Sequence, residues 1–210
     1  MRWEAFAASS IILAWCANAV PQMAVSAQSS EPDVQHAHIL YLKHCAACHG
    51  NRAWGDGPRA IPALAGQGEA YLLEQLERFA SGQRHGTPDH GPAMLETLKA
   101  PDLSYPQAMH ELARYLAQAE RNPQPDHGDG HALEAGRRAY ERACLSCHGA
   151  GATGGGSVPR LAGQHVRYLN SQLAGFGAQR GDVVNPQLVQ PHGAVAAEEQ
   201  RAIADYLSRL

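Results

Sequence analysis

Apolar residues return every three or four positions in three stretches of the chain, 71–80, 106–120 and 197–210. This period places the apolar side chains on one face of an α-helix. Shorter helices are predicted to run through Tyr41 and Tyr140. No segment alternates apolar and polar residues for long enough to predict a β-strand. The hydrophobic pattern therefore predicts an all-α protein.

The same series of short motifs occurs twice along the chain. Each copy contains Cys-x-x-Cys-His-Gly, then Pro-x-Leu-Ala-Gly-Gln, then Tyr-Leu-x-x-Gln-Leu. These motifs begin at Cys45, Pro62 and Tyr71 in the first copy and at Cys144, Pro159 and Tyr168 in the second. The offset between the copies is 99 residues at the cysteines and 97 at the later motifs. A repeat of this length predicts two tandem domains of one kind.

A polar stretch rich in proline and glycine separates the two copies. Residues 122–130 read Asn-Pro-Gln-Pro-Asp-His-Gly-Asp-Gly, which is a composition typical of linkers. The sequence thus predicts a first domain over 31–121 and a second domain over 131–210. Domains of this size bury little surface on their own, so a buried cofactor would add to their stability.

The N-terminal 27 residues are typical of a secretion signal. Arg2 supplies a positive charge, and the apolar run that follows over 5–16 is too short to cross a bilayer, which needs about 20 residues. Cleavage is predicted after Ala19 or Ala27. We therefore expect residues 1–27 to be a signal peptide and the mature protein to be periplasmic.

Charge and histidine content narrow the range of functions. The formal net charge is −3, which argues against a nucleic-acid partner. Residues 31–121 carry eight basic and eleven acidic side chains, whereas 122–210 carry eight of each. The chain also contains 12 histidines, which directs attention to metal ligands.

Cys-x-x-Cys-His is the attachment signature of c-type haem. The two copies consist of Cys45, Cys48 and His49, and of Cys144, Cys147 and His148. Two thiols three residues apart on a helical turn can reach the two vinyl groups on one porphyrin edge. The histidine that follows then ligates the iron as the proximal ligand. The sequence predicts two covalently bound haem c groups.

Three other readings of the cysteine pairs fit less well. Disulfides would leave the histidine that follows each pair unexplained. A thiol–disulfide oxidoreductase would place one such motif between a strand and a helix. A zinc site would need four ligands together, but the two motifs lie 99 residues apart in separate repeats.

Together, the paired motifs resemble those of di-haem class I c-type cytochromes of the cytochrome c4 family, over residues from about 36 to 210. The resemblance implies two tandem all-α cytochrome c-like domains, each wrapped around a covalent haem. It implies that Pro62 and Pro159 pack on the proximal faces, where a nearby backbone carbonyl accepts the ring N–H of the proximal histidine. It further implies haem edges near the domain interface and electron transfer towards terminal oxidases.

Methionine is the sixth ligand that the resemblance implies, and a methionine ligand raises the reduction potential. Met94 lies in a predicted loop before the last helix of the first domain, where we expect it to ligate the iron. Met109 falls on the apolar stripe of that helix and is assigned to the core. His85 and His90 are weaker candidates in the same polar loop.

The second domain departs from this pattern because no methionine follows Met109. Leucine occupies the region where the methionine would lie, and leucine cannot bind iron. His192 lies in the ligand loop and is the predicted sixth ligand of the second haem; the alternative is an open or water-bound iron. His165 begins a predicted helix, where we expect a surface capping role.

The expected function is that of a periplasmic electron carrier and not of an enzyme. Expected redox partners are a quinol-oxidising complex or a terminal oxidase, with peripheral membrane association as a further expectation. Two alternatives remain: a haem enzyme or small-ligand sensor that uses the second haem, and an electron-transfer subunit of a dehydrogenase or oxidase complex. A thiosulfate-oxidising cytochrome would need a thiolate ligand, and the two attachment motifs use all four cysteines after residue 27.

Overall fold

The computed structural model describes Met1, residues 34–177 and residues 195–210, without the side chains of residues 176 and 177. The predicted signal peptide beyond Met1 and the predicted ligand His192 both lie outside the described residues.

The described residues fold into helices joined by loops. The first domain contains α1 (Val34–His44), α2 (Ala46–His49), α3 (Glu69–Ala80), α4 (Gly91–Thr97), a 3-10 helix (Pro101–Leu103) and α5 (Pro106–Gln118). The second contains α6 (Leu133–Ala143), α7 (Leu145–His148), α8 (Val166–Gly177) and α9 (Ala197–Ser208). The described ranges hold no strand beyond two isolated bridges, Asp56–Ile61 and Gly155–Val158. The all-α prediction is confirmed.

In the first domain, the last helix packs against two earlier ones. Helix α5 contacts both α1 and α3, and its apolar stripe forms the centre of the core. Tyr41 and Leu112 are almost completely buried there. Met109 lies in the same core, as the helical pattern predicts. Removal of these apolar side chains from water is the main contribution to the stability of such a bundle.

The second domain repeats this arrangement with α9 packed against α6 and α8. Tyr140, Ile203 and Leu207 form its buried centre. Helix α6 approaches α9 closely at Gly136, where a Cβ atom would lie 2.1 Å from the Ala202 carbonyl oxygen. Only glycine permits this approach, since any side chain would push the two helices apart.

The loops that precede α3 and α8 are tied to the last helix of their own domain. The Gly66 N–H donates to the Leu116 carbonyl at 2.9 Å, and the Gly163 N–H donates to the Leu207 carbonyl at 2.9 Å. Because these loops carry the Leu-Ala-Gly-Gln motifs, the same bond positions the same motif in both domains.

Residues 122–130 contain no helix and are bonded to the second domain. The Gly130 N–H donates to the Asp205 carboxylate at 2.7 Å, and Arg209 donates to the Gly128 carbonyl at 2.7 Å. The described residues from 34 onwards belong to one compact unit. That each domain folds alone, as the predicted boundaries imply, remains a prediction.

Within the described ranges, no helix has both the length and the apolar character needed to cross a bilayer.

Candidate haem-binding sites

Each cysteine pair lies on a single helical turn that follows a longer helix. The Cys45 N–H still bonds the Tyr41 carbonyl of α1, and the Cys144 N–H bonds the Tyr140 carbonyl of α6, both at 2.8 Å. The first cysteine of each pair is turned towards the core, and the second, Cys48 or Cys147, is exposed. All four thiols are free, so the disulfide alternative finds no support.

Before haem attachment, burial disfavours ionisation of the thiols that face the core. Burial raises the pKa of Cys45 to about 12 and that of Cys144 to about 11, since desolvation disfavours a thiolate. In addition, no group of three or more histidine, cysteine or carboxylate side chains is arranged for a metal ion among the described residues. A zinc–thiolate centre therefore has no set of ligands in this part of the chain.

A backbone carbonyl orients each motif histidine. His49 donates from Nδ1 to the Pro62 carbonyl oxygen at 3.0 Å, and His148 donates from Nδ1 to the Pro159 carbonyl oxygen at 3.0 Å. This bond fixes the ring and its tautomer, so Nε2 of His49 is the nitrogen suited to coordinate iron. Burial also lowers the pKa of His49, which favours the neutral imidazole that binds metals.

Glycines allow the proline peptide to approach the histidine. Gly55 has a φ of 78° and Gly154 a φ of 63°, in the left-handed region that favours glycine. A Cβ atom at Gly55 would lie 2.6 Å from the Pro62 carbonyl carbon, and one at Gly154 would lie 2.6 Å from that of Pro159. Sequence reasoning missed these glycines, although they share the 99-residue offset of the cysteines.

A tyrosine hydroxyl binds the backbone just after each Cys-x-x-Cys-His motif. Tyr41 donates to the Gly50 carbonyl and Tyr140 to the Gly149 carbonyl, each at 2.5 Å. Burial raises the pKa of Tyr140 to about 12, so the hydroxyl keeps the proton that it donates. The sequence placed both tyrosines on helices before the cysteines, but the repeat alone did not reveal this role.

Met94 lies on α4 and not in the loop that the sequence predicted. Its side chain is partly buried against the first-domain core. Pro92 falls in the first turn of α4, where proline is tolerated because the missing N–H has no acceptor there. The competing His90 bonds the Arg59 carbonyl through Nε2 at 2.8 Å, so one of its two ring nitrogens is engaged with the backbone.

His165 does not lie on the surface as predicted. The residue is 4% exposed because the first domain and the linker cover it. Its Nε2 donates to the Trp54 carbonyl at 2.7 Å, and its Nδ1 accepts from the Asp126 N–H at 2.9 Å. Both ring nitrogens are therefore engaged, and His165 is a structural link between the domains.

The donor set in each domain fits a c-type haem. Each site offers two unpaired thiols on one helical turn and an imidazole whose Nδ1 is held by a carbonyl. Iron in such cytochromes is ligated by an imidazole oriented in this way. The near-identity of the two sites accounts for one haem in each domain.

Comparisons with known proteins agree with the geometry. The family model for cytochrome c matches residues 35–120 and again 133–210. Cytochrome c4 of Azotobacter vinelandii is 32% identical to this chain, over 79% of this chain and 84% of the relative. The chain therefore belongs to the cytochrome c family and, within it, to the di-haem cytochrome c4 group. It carries two covalently bound haem c groups, one at each Cys-x-x-Cys-His motif.

Other relatives and solved structures share the fold. The thiosulfate dehydrogenase electron acceptor of Stutzerimonas stutzeri is 33% identical, over 79% of this chain and 78% of that protein. The structure of reduced cytochrome c4 from Pseudomonas stutzeri superimposes with a TM-score of 0.70 at 26% identity, covering 85% of this chain and 98% of that one. Thiosulfate dehydrogenase TsdBA from Marichromatium purpuratum gives a TM-score of 0.69 at 29% identity, covering 83% of this chain but 40% of that longer one.

Proposed function

We propose that the protein is a periplasmic di-haem electron carrier that shuttles electrons between respiratory partners. The observation that carries this proposal is the hydrogen bond that His49 and His148 each make. Each ring donates to a proline carbonyl at 3.0 Å. Rings fixed in this way change little when the iron changes its charge. Small rearrangement on electron transfer is what a carrier requires.

In this proposal, the roles within each domain follow the motif order. Cys45 and Cys48 attach the first haem, and Cys144 and Cys147 attach the second. His49 and His148 are the proximal ligands, oriented by Pro62 and Pro159. When bound, each haem supplies one-electron iron chemistry. The chain itself holds the ring orientation, and its apolar core excludes water from the ligand bonds.

The sixth ligands make the two domains different. Met94, partly buried on α4, is proposed for the first iron, since Met109 is buried in the core and methionine is the ligand expected at this position in the family. His192 is proposed for the second iron on the sequence alone. A methionine ligand favours ferrous iron and an imidazole favours ferric iron, so electrons would rest on the first haem.

The proposed partners are redox proteins such as a quinol-oxidising complex or a terminal oxidase. The first domain, with eleven acidic side chains against eight basic ones over 31–121, would suit a partner with a basic docking surface. Peripheral association with the membrane would follow from docking on such a complex. In this proposal, the predicted signal peptide, cleaved after Ala19 or Ala27, exports the carrier to the periplasm.

A second candidate function is that of electron acceptor to a dehydrogenase, because one relative of 33% identity is an electron acceptor of thiosulfate dehydrogenase. This role would keep the chain a carrier and leave the catalysis to its partner. The four described cysteines all belong to the attachment motifs, so none of them remains to ligate iron as a catalytic thiolate.

Electron delivery by two routes separates these functions. Oxidised holoprotein is mixed either with a quinol-oxidising complex and quinol or with a thiosulfate dehydrogenase and thiosulfate, and haem absorbance is followed in a stopped-flow instrument. The carrier proposal predicts rapid reduction of both haems by at least one donor and reoxidation by a terminal oxidase. It is contradicted if neither donor reduces the haems or if the holoprotein alone consumes thiosulfate or peroxide. Carbon monoxide binding to the reduced second haem would support the sensor alternative.

A further inference from the structure

Each Pro-x-Leu-Ala-Gly-Gln motif ends in a glutamine that binds the other domain. Gln164 accepts from the Ala63 N–H at 2.9 Å and donates to the Ala63 carbonyl at 2.9 Å. Gln67 accepts from the Arg160 N–H at 2.7 Å and donates to the Arg160 carbonyl at 2.9 Å. Ala63 and Arg160 occupy the same position of the repeat, so the exchange is reciprocal.

The residue that each glutamine clamps adjoins the proline that holds the proximal histidine. The Pro62 carbonyl and the Ala63 N–H are the two ends of one peptide group. His49 donates to the oxygen of this group at 3.0 Å, and the nitrogen donates to Gln164. The peptide group thus joins the imidazole of the first domain to a side chain of the second.

The second domain contains the mirror arrangement. His148 donates to the Pro159 carbonyl oxygen at 3.0 Å, and the Arg160 N–H of the same peptide group donates to Gln67. Hydrogen bonds in such a chain polarise one another, so an acceptor at the nitrogen end makes the carbonyl end a stronger acceptor.

We propose that each glutamine is a positioning residue for the haem of the opposite domain: Gln164 lowers the reduction potential of the first haem through His49, and Gln67 lowers that of the second through His148. The proposal rests on the proposed function in one respect, that these histidines are proximal ligands. A stronger acceptor for Nδ1–H makes the imidazole more electron-donating, and this stabilises ferric iron.

The orientation of each glutamine amide is fixed, which sets the sign of the effect. Gln164 Oε1 also accepts from the His165 N–H at 3.0 Å, and Gln67 Oε1 accepts from the Gly68 N–H at 2.9 Å. Each amide oxygen faces two N–H donors, and each Nε2 faces a carbonyl oxygen. A flipped amide would therefore place donor against donor at two contacts and acceptor against acceptor at the third. The acceptor therefore always faces the proline peptide.

The test uses the full-length holoprotein and the pair of variants Gln164→Leu and Gln67→Leu. Gln164→Leu should raise the ratio of reduced to oxidised iron in the first haem, at a fixed solution potential, by up to about tenfold, which corresponds to about 59 mV. Gln67→Leu should do the same to the second haem. Haem-methyl NMR resonances follow each haem separately during the titration.

A second readout reports the hydrogen bond itself. In the ferrous protein, the ring Nδ1–H proton of His49 should move upfield in Gln164→Leu, whereas that of His148 moves less. Tyr168→Phe is the control, because it removes another contact between the domains, the Arg84 bond to the Tyr168 hydroxyl at 3.2 Å, without touching either proline peptide. It should leave both potentials unchanged.

Gln164→Glu keeps the size and the acceptor if the leucine variant fails to fold. It should hold the first haem at or below its wild-type potential. The proposal is overturned if each leucine variant shifts mainly the haem of its own domain, if neither haem shifts, or if Tyr168→Phe shifts them equally. Failure of the proposed function is a different result, since the wild type would then lack two haems with histidine ligation in its own spectra.

Discussion

Arg84 of the first domain donates from its guanidinium to the hydroxyl of Tyr168 in the second domain, at 3.2 Å. The same group donates to Gln75 at 2.8 Å and lies over the Phe79 ring. Arg84 is 9% exposed, so this cation is held by neutral acceptors at the boundary between the domains. Such a contact contributes to stability only while both domains keep their relative position.

Replacement of Arg84 should therefore weaken the attachment of the domains. Arg84→Met leaves the buried amide oxygen of Gln75 and the Tyr168 hydroxyl without their donor, which costs about 1–3 kcal/mol. Urea unfolding of the holoprotein measures the loss. The exposed Arg201 provides the control, since Arg201→Met should change the free energy of unfolding by less than about 0.5 kcal/mol. Equal effects of the two variants would contradict this role of Arg84.

Gly154 should be required for the second haem site. In Gly154→Ala, the new Cβ would lie 2.3 Å from the Val158 carbonyl oxygen and 2.6 Å from the Pro159 carbonyl carbon, which displaces the acceptor of His148. We expect a loss of more than about 2 kcal/mol in stability and a lower yield of the second haem. Pyridine haemochrome analysis against protein concentration measures the yield.

Gly156 is a matched control for the backbone part of this effect. It also has a positive φ, 56°, but a Cβ there would meet nothing within 4 Å. Gly156→Ala should therefore cost only the left-handed strain of about 1 kcal/mol and leave haem loading intact. If both variants lost the second haem equally, crowding of the proline peptide would not be the cause.

Removal of one cysteine pair should remove one haem and leave the other. Cys144→Ala combined with Cys147→Ala should give a protein with one covalent haem in the first domain, because each motif serves its own domain. The mirror variant at Cys45 and Cys48 should retain only the second haem. The number of covalent haems per chain is measured by haem staining of denaturing gels and by mass spectrometry. Loss of both haems from either double variant would mean that the domains do not mature independently.

Helices and attachment residues could be predicted from the sequence because they depend on local patterns. Stretch 106–120 has the 3.6-residue period of a helix, and the structure forms α5 over Pro106–Gln118. The Cys-x-x-Cys-His motif likewise contains its chemistry in five adjacent residues. The proline that orients the histidine was implied by resemblance, and the structure adds that the carbonyl belongs to the proline itself.

Contacts between the domains could not be predicted in this way. Gln164 and Ala63 are 101 residues apart, and no periodicity links them. His165 was given a surface capping role because it stands at a predicted helix start, whereas the first domain and the linker cover it here. Met94 was placed in the loop before the last helix, but the structure has it on α4, and Pro92 is compatible with the start of that helix.

The central claim, an electron carrier with two unlike haems, is tested most directly by potentiometric titration of the holoprotein with visible and near-infrared spectra. The account predicts two one-electron steps separated by more than about 59 mV, a tenfold difference in occupancy. The step at higher potential should carry the sulfur-to-iron band of the ferric haem ligated by Met94, and His192→Ala should change only the lower step. Two methionine-type haems that titrate together, with no response to His192→Ala, would contradict it.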